Sequence, residues 1–370
     1  MNPRSIQKHW PSLALLVITI AGFLLRINQL TWQCLNVDEV TTSWIANNTV
    51  GWIVHYSLTV DYNPPLYYLI AHYSFILFNE VSRFSVRFPA VIFGTLAIPA
   101  AYFVARELKG VTLGLLAAGL MSFLYPFYYY SQDARAYSLV LLGFMGYSYF
   151  FIRMYRGDWS RKIVAGLALC ATLCLWSHYY SLVPIILMGL ILLRKDWLPT
   201  IYAGILTAIM MSPLAILFDP SQIKTRTLKV GAENYFWATP QQMAMWLPNE
   251  LFCWSWILII PLALYSLVRY WRTALIRDLF FVSLITAIVL IPLTNLTGLS
   301  PRYALIISPL VLMVAMYPIA EWIDKEKSLA KQVSVFMLVL FVIFLFNYGS
   351  IVEWTGFNVC PFMTGTGAAH

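Results

Sequence analysis

Acidic side chains lie beside apolar stretches of the sequence at two places. Asp38 and Glu39 follow the first apolar stretch, and Asp133 lies between the third and the fourth. A carboxylate near a membrane surface is partly desolvated, which raises its pKa and suits it to accept a proton. We therefore predict that the acidic residues Asp38, Glu39 and Asp133 are catalytic.

Each acidic group also has a structural interpretation. Asn36 or Asp38 is placed to cap a helix that starts at Glu39. Asp133 and Arg135 are close enough in sequence to form an ion pair with each other. The sequence alone leaves both interpretations open.

Basic and aromatic side chains near the same apolar stretches form a second candidate set. Guanidinium groups bind phosphate through two parallel hydrogen bonds, which lysine cannot do. The predicted phosphate-binding residues are Arg302, Arg135, Arg26, Tyr303, His178 and Lys224, and Lys224 shares its loop with Arg226 and Lys229. The alternatives are arginines that extend to lipid headgroups, an interfacial aromatic role for His178, and solvated loop lysines.

Membrane helices must position these residues. The chain is 60% hydrophobic and 11% charged, with a mean hydropathy of +0.72, which excludes an ordinary soluble protein. About 20 apolar residues are needed to cross a bilayer. We predict an all-α integral membrane bundle of about eleven spans, near residues 12–30, 86–105, 113–130, 136–152, 163–180, 181–193, 198–217, 252–268, 279–295, 303–320 and 332–350.

The basic residues predict the topology. With a cytoplasmic N-terminus, 16 of the 24 Lys and Arg residues lie in cytoplasmic loops and 8 lie outside. The apolar segment Leu66 to Phe78 is predicted as an interfacial helix, because a full span there would turn the basic clusters at 153–162 and 269–277 outward. The net charge of +8 therefore reports topology and not nucleic-acid binding.

One membrane domain is predicted for residues 1–350, because no repeat or linker divides the chain. It includes two long outer segments, 31–85 with interfacial helices and 218–251. Residues 351–370 are predicted as a short C-terminal tail. Long loops at one face of a protein usually carry function.

In combination, the motifs resemble those of the GT-C superfamily of membrane glycosyltransferases, particularly the protein O-mannosyltransferases and the lipid A aminoarabinose transferases. The resemblance covers most of the first 180 residues. Its carriers are Arg26, Asp38-Glu39, NPPLYY from Asn63, SVRFPA from Ser85, SQDARAY from Ser131 and the later Pro301-Arg302-Tyr303. Asn63 stands where the family usually has His, and no large C-terminal soluble domain follows.

The resemblance implies a sugar donor linked to polyprenyl or dolichyl phosphate, a catalytic acid after the first span and a second acid in the next outer loop. We assign Asp38 as the general base of an inverting displacement, with Glu39 and Asp133 orienting the acceptor. Asn63, Tyr67 and Tyr137 would position the acceptor or the loops. The acceptor would be a glycan, a glycolipid or a protein.

The scheme requires no cofactor, because arginines can neutralise the phosphate, although the three acids would suit a divalent cation. The expected location is the bacterial plasma membrane, in contact with its lipids and with the site facing outward. The rival functions are a transporter or flippase of lipid-linked sugars, which should show inverted repeats, and a scaffold without chemistry. From the catalytic interpretation we expect Asp38, Asp133 and Arg302 to line one outward-facing cavity.

Overall fold

A computed structural model describes residues 3–61, 63–217, 240–297 and 301–357, and within these ranges the chain forms helices and no β-strands. Among the described residues, six helical segments are long and apolar enough to cross a membrane. They are His9–Ile27, Arg83–Lys109, Trp197–Leu217, Trp246–Arg269, Arg302–Lys325 and Leu329–Tyr348. The predicted all-α membrane fold is therefore confirmed.

The first outer segment contains three short helices. After α1 (Pro3–Ile27) come α2 (Val37–Ala46), α3 (Val50–Tyr56), a π-helical turn at Ser57–Asp61 and α4 (Leu66–Phe78). The remaining helices are α5 (Arg83–Lys109), α6 (Val111–Phe123), α7 (Tyr125–Tyr129), α8 (Tyr137–Tyr155), α9 (Arg161–Ser177), α10 (Leu182–Leu193), α11 (Trp197–Leu217), α12 (Pro240–Phe252), α13 (Trp256–Arg269), α14 (Ala274–Thr297), α15 (Ser308–Lys325) and α16 (Leu329–Phe357).

Each of the eleven predicted spans coincides with helical segments, but in the part of the chain that the structure describes only six of them meet the length and apolarity needed, so the count of eleven stays a prediction. Several boundaries also differ. The predicted span 113–130 breaks at Leu124, because Pro126 cannot donate a backbone hydrogen bond and disfavours a continuous helix. Helix α12 occupies the end of the predicted 218–251 loop, and α16 continues to Phe357, into the predicted tail. Apolar periodicity locates helices well and their ends poorly.

Helices α5, α6, α8 and α15 form the interior of the bundle. Of the most apolar segment of α15, 72% is buried, compared with 11% for α1 and 6% for α16. Helices α1 and α16 therefore lie at the periphery, where apolar side chains such as Leu16 and Phe341 remain exposed for lipid contact.

The predicted cytoplasmic loops gather at one end of the bundle. Arg156 approaches Glu107 at 3.6 Å, and the Tyr155 hydroxyl donates to Asp278 at 3.0 Å. Lys109 lies 3.9 Å from Glu321. These contacts join helix ends that the alternating topology places on the same side.

Helix α4 packs on α5 and α2 and carries the first outer segment. The Ser74 hydroxyl donates to the Ser85 carbonyl at 2.6 Å, and the His72 ring contacts the Ala46 carbonyl at 2.9 Å. Asn79 ends α4 in the left-handed conformation, with φ of 50°. The helix predicted at Leu66–Phe78 is confirmed, and its position at the membrane interface stays a prediction.

Gly94 allows α5 to approach the turn at Ser131 closely. A Cβ atom at this position would lie 1.9 Å from the Ser131 hydroxyl oxygen and 3.3 Å from Arg26 Nε. Arg26 Nε itself donates to that hydroxyl at 3.1 Å. A side chain at residue 94 would therefore displace the turn that precedes Asp133.

We expect Gly94→Ala to lower the free energy of unfolding by about 1–3 kcal/mol through overpacking. Gly189→Ala is the matched control, because no atom lies within 4 Å of the added methyl group and alanine is the better helix former. Thermal unfolding in detergent measures both. Equal losses in the two variants would contradict this packing argument.

Candidate active site

The first outer segment is fixed by a buried ion pair between Arg87 of α5 and Glu39 of α2. Arg87 Nε and Nη2 donate to the two Glu39 carboxylate oxygens, each at 2.6 Å. The same guanidinium donates to the carbonyls of Leu30, Gln33 and Cys34 at 2.8–3.1 Å. One side chain therefore holds the chain between α1 and α2 and the start of α2.

Glu39 also joins α2 to the loop that contains Asp133. Asn36 caps α2 through a reciprocal pair of hydrogen bonds with Glu39, so it is the cap among the two predicted alternatives, and the helix begins at Val37, two residues earlier than predicted. The Ala134 amide donates to Glu39 Oε1 at 3.0 Å. Glu39 is 1% exposed and both its oxygens contact protein donors, so its contacts position these segments, and its predicted catalytic role stays a prediction.

Asp38 points to a different set of partners from Glu39. Its Oδ2 accepts from Arg302 Nη2 at 2.7 Å, and its Oδ1 lies 3.3 Å from Arg135 Nη2. The Arg302 guanidinium lies over the rings of Tyr137 and Tyr303, 5.6 and 5.9 Å from their centroids. The structure therefore brings together residues 264 positions apart, as the catalytic interpretation requires.

Asp133 lies on the same side of the bundle and is 5% exposed. Asn36 Nδ2 donates to its Oδ1 at 3.3 Å. Burial raises the pKa of the Asp133 carboxyl to about 7, and the negative charge of Glu39 acts in the same direction. The predicted pair between Asp133 and Arg135 is replaced by the pair of Arg135 with Asp38.

Tyr68 and Asp61, which the sequence did not identify as site residues, hold Arg135 in place. Arg135 Nη1 donates to the Tyr68 hydroxyl at 2.9 Å, and this hydroxyl donates to Asp61 Oδ2 at 2.6 Å. Asn63 Nδ2 donates to the same Asp61 oxygen at 2.7 Å. The NPPLYY motif contains Asn63 and Tyr68, but nothing in its spacing indicates that it meets Arg135.

Two adjoining cavities open beside the arginines, and we call them the aromatic cavities. The larger, of about 370 Å³, is lined in part by Asn63, Tyr67, Tyr68 and Arg135. The smaller, of about 260 Å³, contains Arg302. Both are bordered by Tyr137, His178 and Tyr303, and the His178 and Tyr303 rings lie 4.8 Å apart.

A third cavity, of about 290 Å³, lies on the side of α1. It is lined by Gln29, Gln33, Asn36, Glu39, Gln132 and Asp133, among others. Asp133 thus borders this cavity and Arg302 an aromatic one, so the single cavity expected from the sequence is divided. The physical reason is that the Asp38 carboxylate turns toward the two arginines, while Asn36 donates to Asp133 and Glu39 accepts from the adjacent Ala134 amide.

Arg26 is completely buried and does not reach the aromatic cavities. Its guanidinium donates to the carbonyls of Gly22, Ser122 and Met121 at 2.7–3.0 Å and to the Ser131 hydroxyl. This is a correction to the predicted phosphate contact, because Arg26 instead fixes the 131–133 turn against α1 and α6.

Two further predictions concern the loop lysines and a cation site. Lys224, Arg226 and Lys229 lie outside the described residues. Within the described ranges, no group of three or more His, Cys, Asp or Glu side chains is arranged to hold a metal ion. The divalent cation stays a prediction.

Comparisons with known proteins agree with this fold. Residues 62–217, less than half of the chain, match the family model described as dolichyl-phosphate-mannose-protein mannosyltransferase. The structure of ArnT from Cupriavidus metallidurans bound to undecaprenyl phosphate aligns at a TM-score of 0.61 and 14% identity, over 89% of this chain and 63% of that one. A search of curated protein sequences gave no match.

A second solved structure is the archaeal oligosaccharyltransferase AglB from Archaeoglobus fulgidus, in complex with an inhibitory peptide and a dolichol-phosphate. It aligns at a TM-score of 0.62 and 14% identity, over 96% of this chain and 57% of that one. The chain therefore spans about six tenths of the length of these two proteins. The likeness confirms the predicted GT-C-type polytopic fold.

We expect Glu39→Gln to lower the free energy of unfolding by about 3–5 kcal/mol, because it leaves the Arg87 guanidinium buried without a counterion. The matched control is Glu107→Gln at the opposite end, whose pairs with Arg153 and Arg156 are partly exposed and should contribute at most about 1 kcal/mol. Thermal or denaturant unfolding in detergent distinguishes the two. A loss at Glu39 no larger than at Glu107 would refute the central role of this pair.

The raised pKa of Asp133 predicts a pH-dependent stability. The unfolded carboxyl ionises near pH 3.9 and the folded one near 7, so the unfolded state loses its proton first as the pH rises between these values. The stability of the parent relative to Asp133→Asn should fall from pH 4 to pH 7 and level off above 7. Melting temperatures of both proteins across this range provide the test, and a constant difference would contradict it.

Proposed function

We propose that this chain, which has the GT-C-type fold of membrane glycosyltransferases, transfers a sugar from a polyprenyl-phosphate donor to an acceptor hydroxyl at the non-cytoplasmic membrane surface. The observation that carries the proposal is the convergence of Asp38, Arg135 and Arg302 beside the aromatic cavities. The match of residues 62–217 to a mannosyltransferase family supports it. So do the undecaprenyl phosphate and dolichol-phosphate bound by ArnT and AglB.

The two arginines are assigned to the donor phosphate. A sugar linked to lipid phosphate has a good leaving group, so cleavage depends mainly on neutralising the charge that develops on the phosphate. Arg302 and Arg135 approach one point from two helix ends and present planar donors there. Tyr303 and His178 border the same cavities and are assigned to support the phosphate or the sugar.

The reaction is a single displacement with inversion. The acceptor oxygen attacks the anomeric carbon, the bond from this carbon to the phosphate oxygen breaks, and the electron pair leaves with the polyprenyl phosphate. The acceptor proton passes to Asp38, the general base. Since the phosphate leaves already ionised, no separate acid is required.

The acceptor side is assigned to Asp133 and the cavity that it borders. Asn36 and Gln132 line this cavity, and Glu39 positions its walls through Ala134. Asn63 and Tyr67 hold the 61–68 segment in place, through Asp61 and through a hydrogen bond from the Tyr67 hydroxyl to the Val86 carbonyl. Their effect on the acceptor would therefore be indirect.

The proposed orientation puts the site outside the plasma membrane of a bacterium and the N-terminus inside. It rests on the basic residues at the opposite end of the bundle, which favour the cytoplasmic side. The lipid-facing helices would let the donor enter sideways from the bilayer with its polyprenyl chain still in apolar surroundings. The scheme needs no metal, and loss of turnover on chelation would instead assign a divalent cation to the acids.

Sugar transfer in proteoliposomes from a panel of defined polyprenyl-phosphate sugars tests the proposal. We expect Asp38→Asn to lower turnover about 10²–10⁴-fold by removing the base, and Arg302→Ala to lower it about 10²–10³-fold by removing charge stabilisation. Asp196→Asn and Arg161→Ala change the same charges at the opposite end and should leave turnover unchanged. Full activity of Asp38→Asn would eliminate the assigned base.

A further inference from the structure

Asp38 is the proposed base, yet both its oxygens face arginines. Arg302 contacts one oxygen at 2.7 Å, and Arg135 approaches the other at 3.3 Å. Each carboxylate oxygen has two lone pairs, and each Asp38 oxygen already faces one guanidinium. The proposed base therefore occupies the arginine contacts that are assigned to the donor phosphate.

We propose that Asp38 occupies the place of the donor phosphate until the donor binds, and that phosphate binding releases Asp38 toward the acceptor. This inference rests on the proposed function and adds the order in which its steps occur. The donor phosphate must exchange with the carboxylate before the base can act. Without donor, the base stays paired with the arginines.

The exchange is favoured because the arginines offer more donors than Asp38 uses. Arg302 Nε is buried and has no hydrogen-bond partner among the described residues. A buried guanidinium N–H without an acceptor is costly, and a ligand oxygen there would remove that cost. A phosphate group has more oxygens than a carboxylate, so it can occupy the positions that Asp38 fills and reach Nε as well.

The two arginines are held in place by contacts that do not involve Asp38. Arg135 is fixed by the Tyr68 hydroxyl, which Asp61 orients. Arg302 lies over the Tyr137 and Tyr303 rings, whose negative faces attract the cation. The arginines can therefore keep their positions when the carboxylate leaves.

A change of rotamer can move the Asp38 carboxylate without moving the backbone. Its side chain is 31% exposed, whereas that of Glu39 beside it is 2% exposed and tied to Arg87. Asp38 lies in the first turn of α2, and Asn36 and Glu39 maintain the cap of this helix without it. A change in the Asp38 rotamer alone would release the arginines and leave α2 intact.

Binding of undecaprenyl phosphate to the purified full chain in lipid nanodiscs tests the exchange. We expect Asp38→Asn to bind the lipid phosphate about tenfold or more tightly than the parent, because the competing charge is gone. Asp133→Asn, measured above the raised pKa of Asp133 at about pH 8.5, is the matched control: it removes a nearby ionised carboxylate that forms no hydrogen bond or ion pair with either arginine in the described part of the chain. Its Kd should stay within about twofold of the parent value.

Asp38→Ser provides a second variant with the same expected gain, and melting temperatures show whether each variant is folded. The exchange is overturned if neither Asp38 variant binds more tightly, or if Asp133→Asn tightens binding as much, since that would indicate general charge removal. A parent that transfers sugar while its Asp38 variants gain no affinity refutes the exchange and leaves the proposed function standing. Absence of undecaprenyl phosphate binding in all proteins, together with absence of transfer, refutes both.

Discussion

The buried pair of Glu39 and Arg87 is the interaction on which the geometry of the site depends. Two charges out of water are tolerated only because each oxygen and nearly every N–H of the pair finds a partner. These partners belong to three separate segments: the chain after α1, the start of α2 and the loop at Ala134. The pair therefore sets the distance between the two acids that the proposed reaction needs.

Three carboxylates of the same chemistry take three different roles because their surroundings differ. Glu39 is neutralised by one guanidinium and serves the fold. Asp38 lies between two guanidiniums at a partly exposed position, where a ligand can compete for them. Asp133 is buried beside Glu39, and both its burial and the Glu39 charge raise its pKa. Environment, and not residue type, separates structural from functional acids.

Six described segments are long and apolar enough to span a membrane, so the eleven predicted spans stay a prediction. Apolar segments and basic loops were sufficient to predict where the helices lie. They were insufficient for contacts between side chains. Arg26 and Arg302 look alike in the sequence, each beside an apolar stretch, but Arg26 is enclosed by α1, α6 and the 131–133 turn. Arg87 belongs to the SVRFPA motif, but the motif does not indicate a role for it, because its partner Glu39 is 48 residues away. Only the packing of α5 against α2 reveals that pairing.

The same limit explains why the expected single cavity is divided. Adjacent residues on a helix point in directions about 100° apart, so Asp38 and Glu39 cannot serve the same partners. Once Glu39 is committed to Arg87 and Ala134, Asp38 must face Arg135 and Arg302, and Asp133 is left on the other side. The site is therefore divided in space: the guanidiniums lie on one side, and the second acid, Asp133, lies on the other. This division suits an inverting displacement, because the nucleophile must attack from the side opposite to the leaving phosphate.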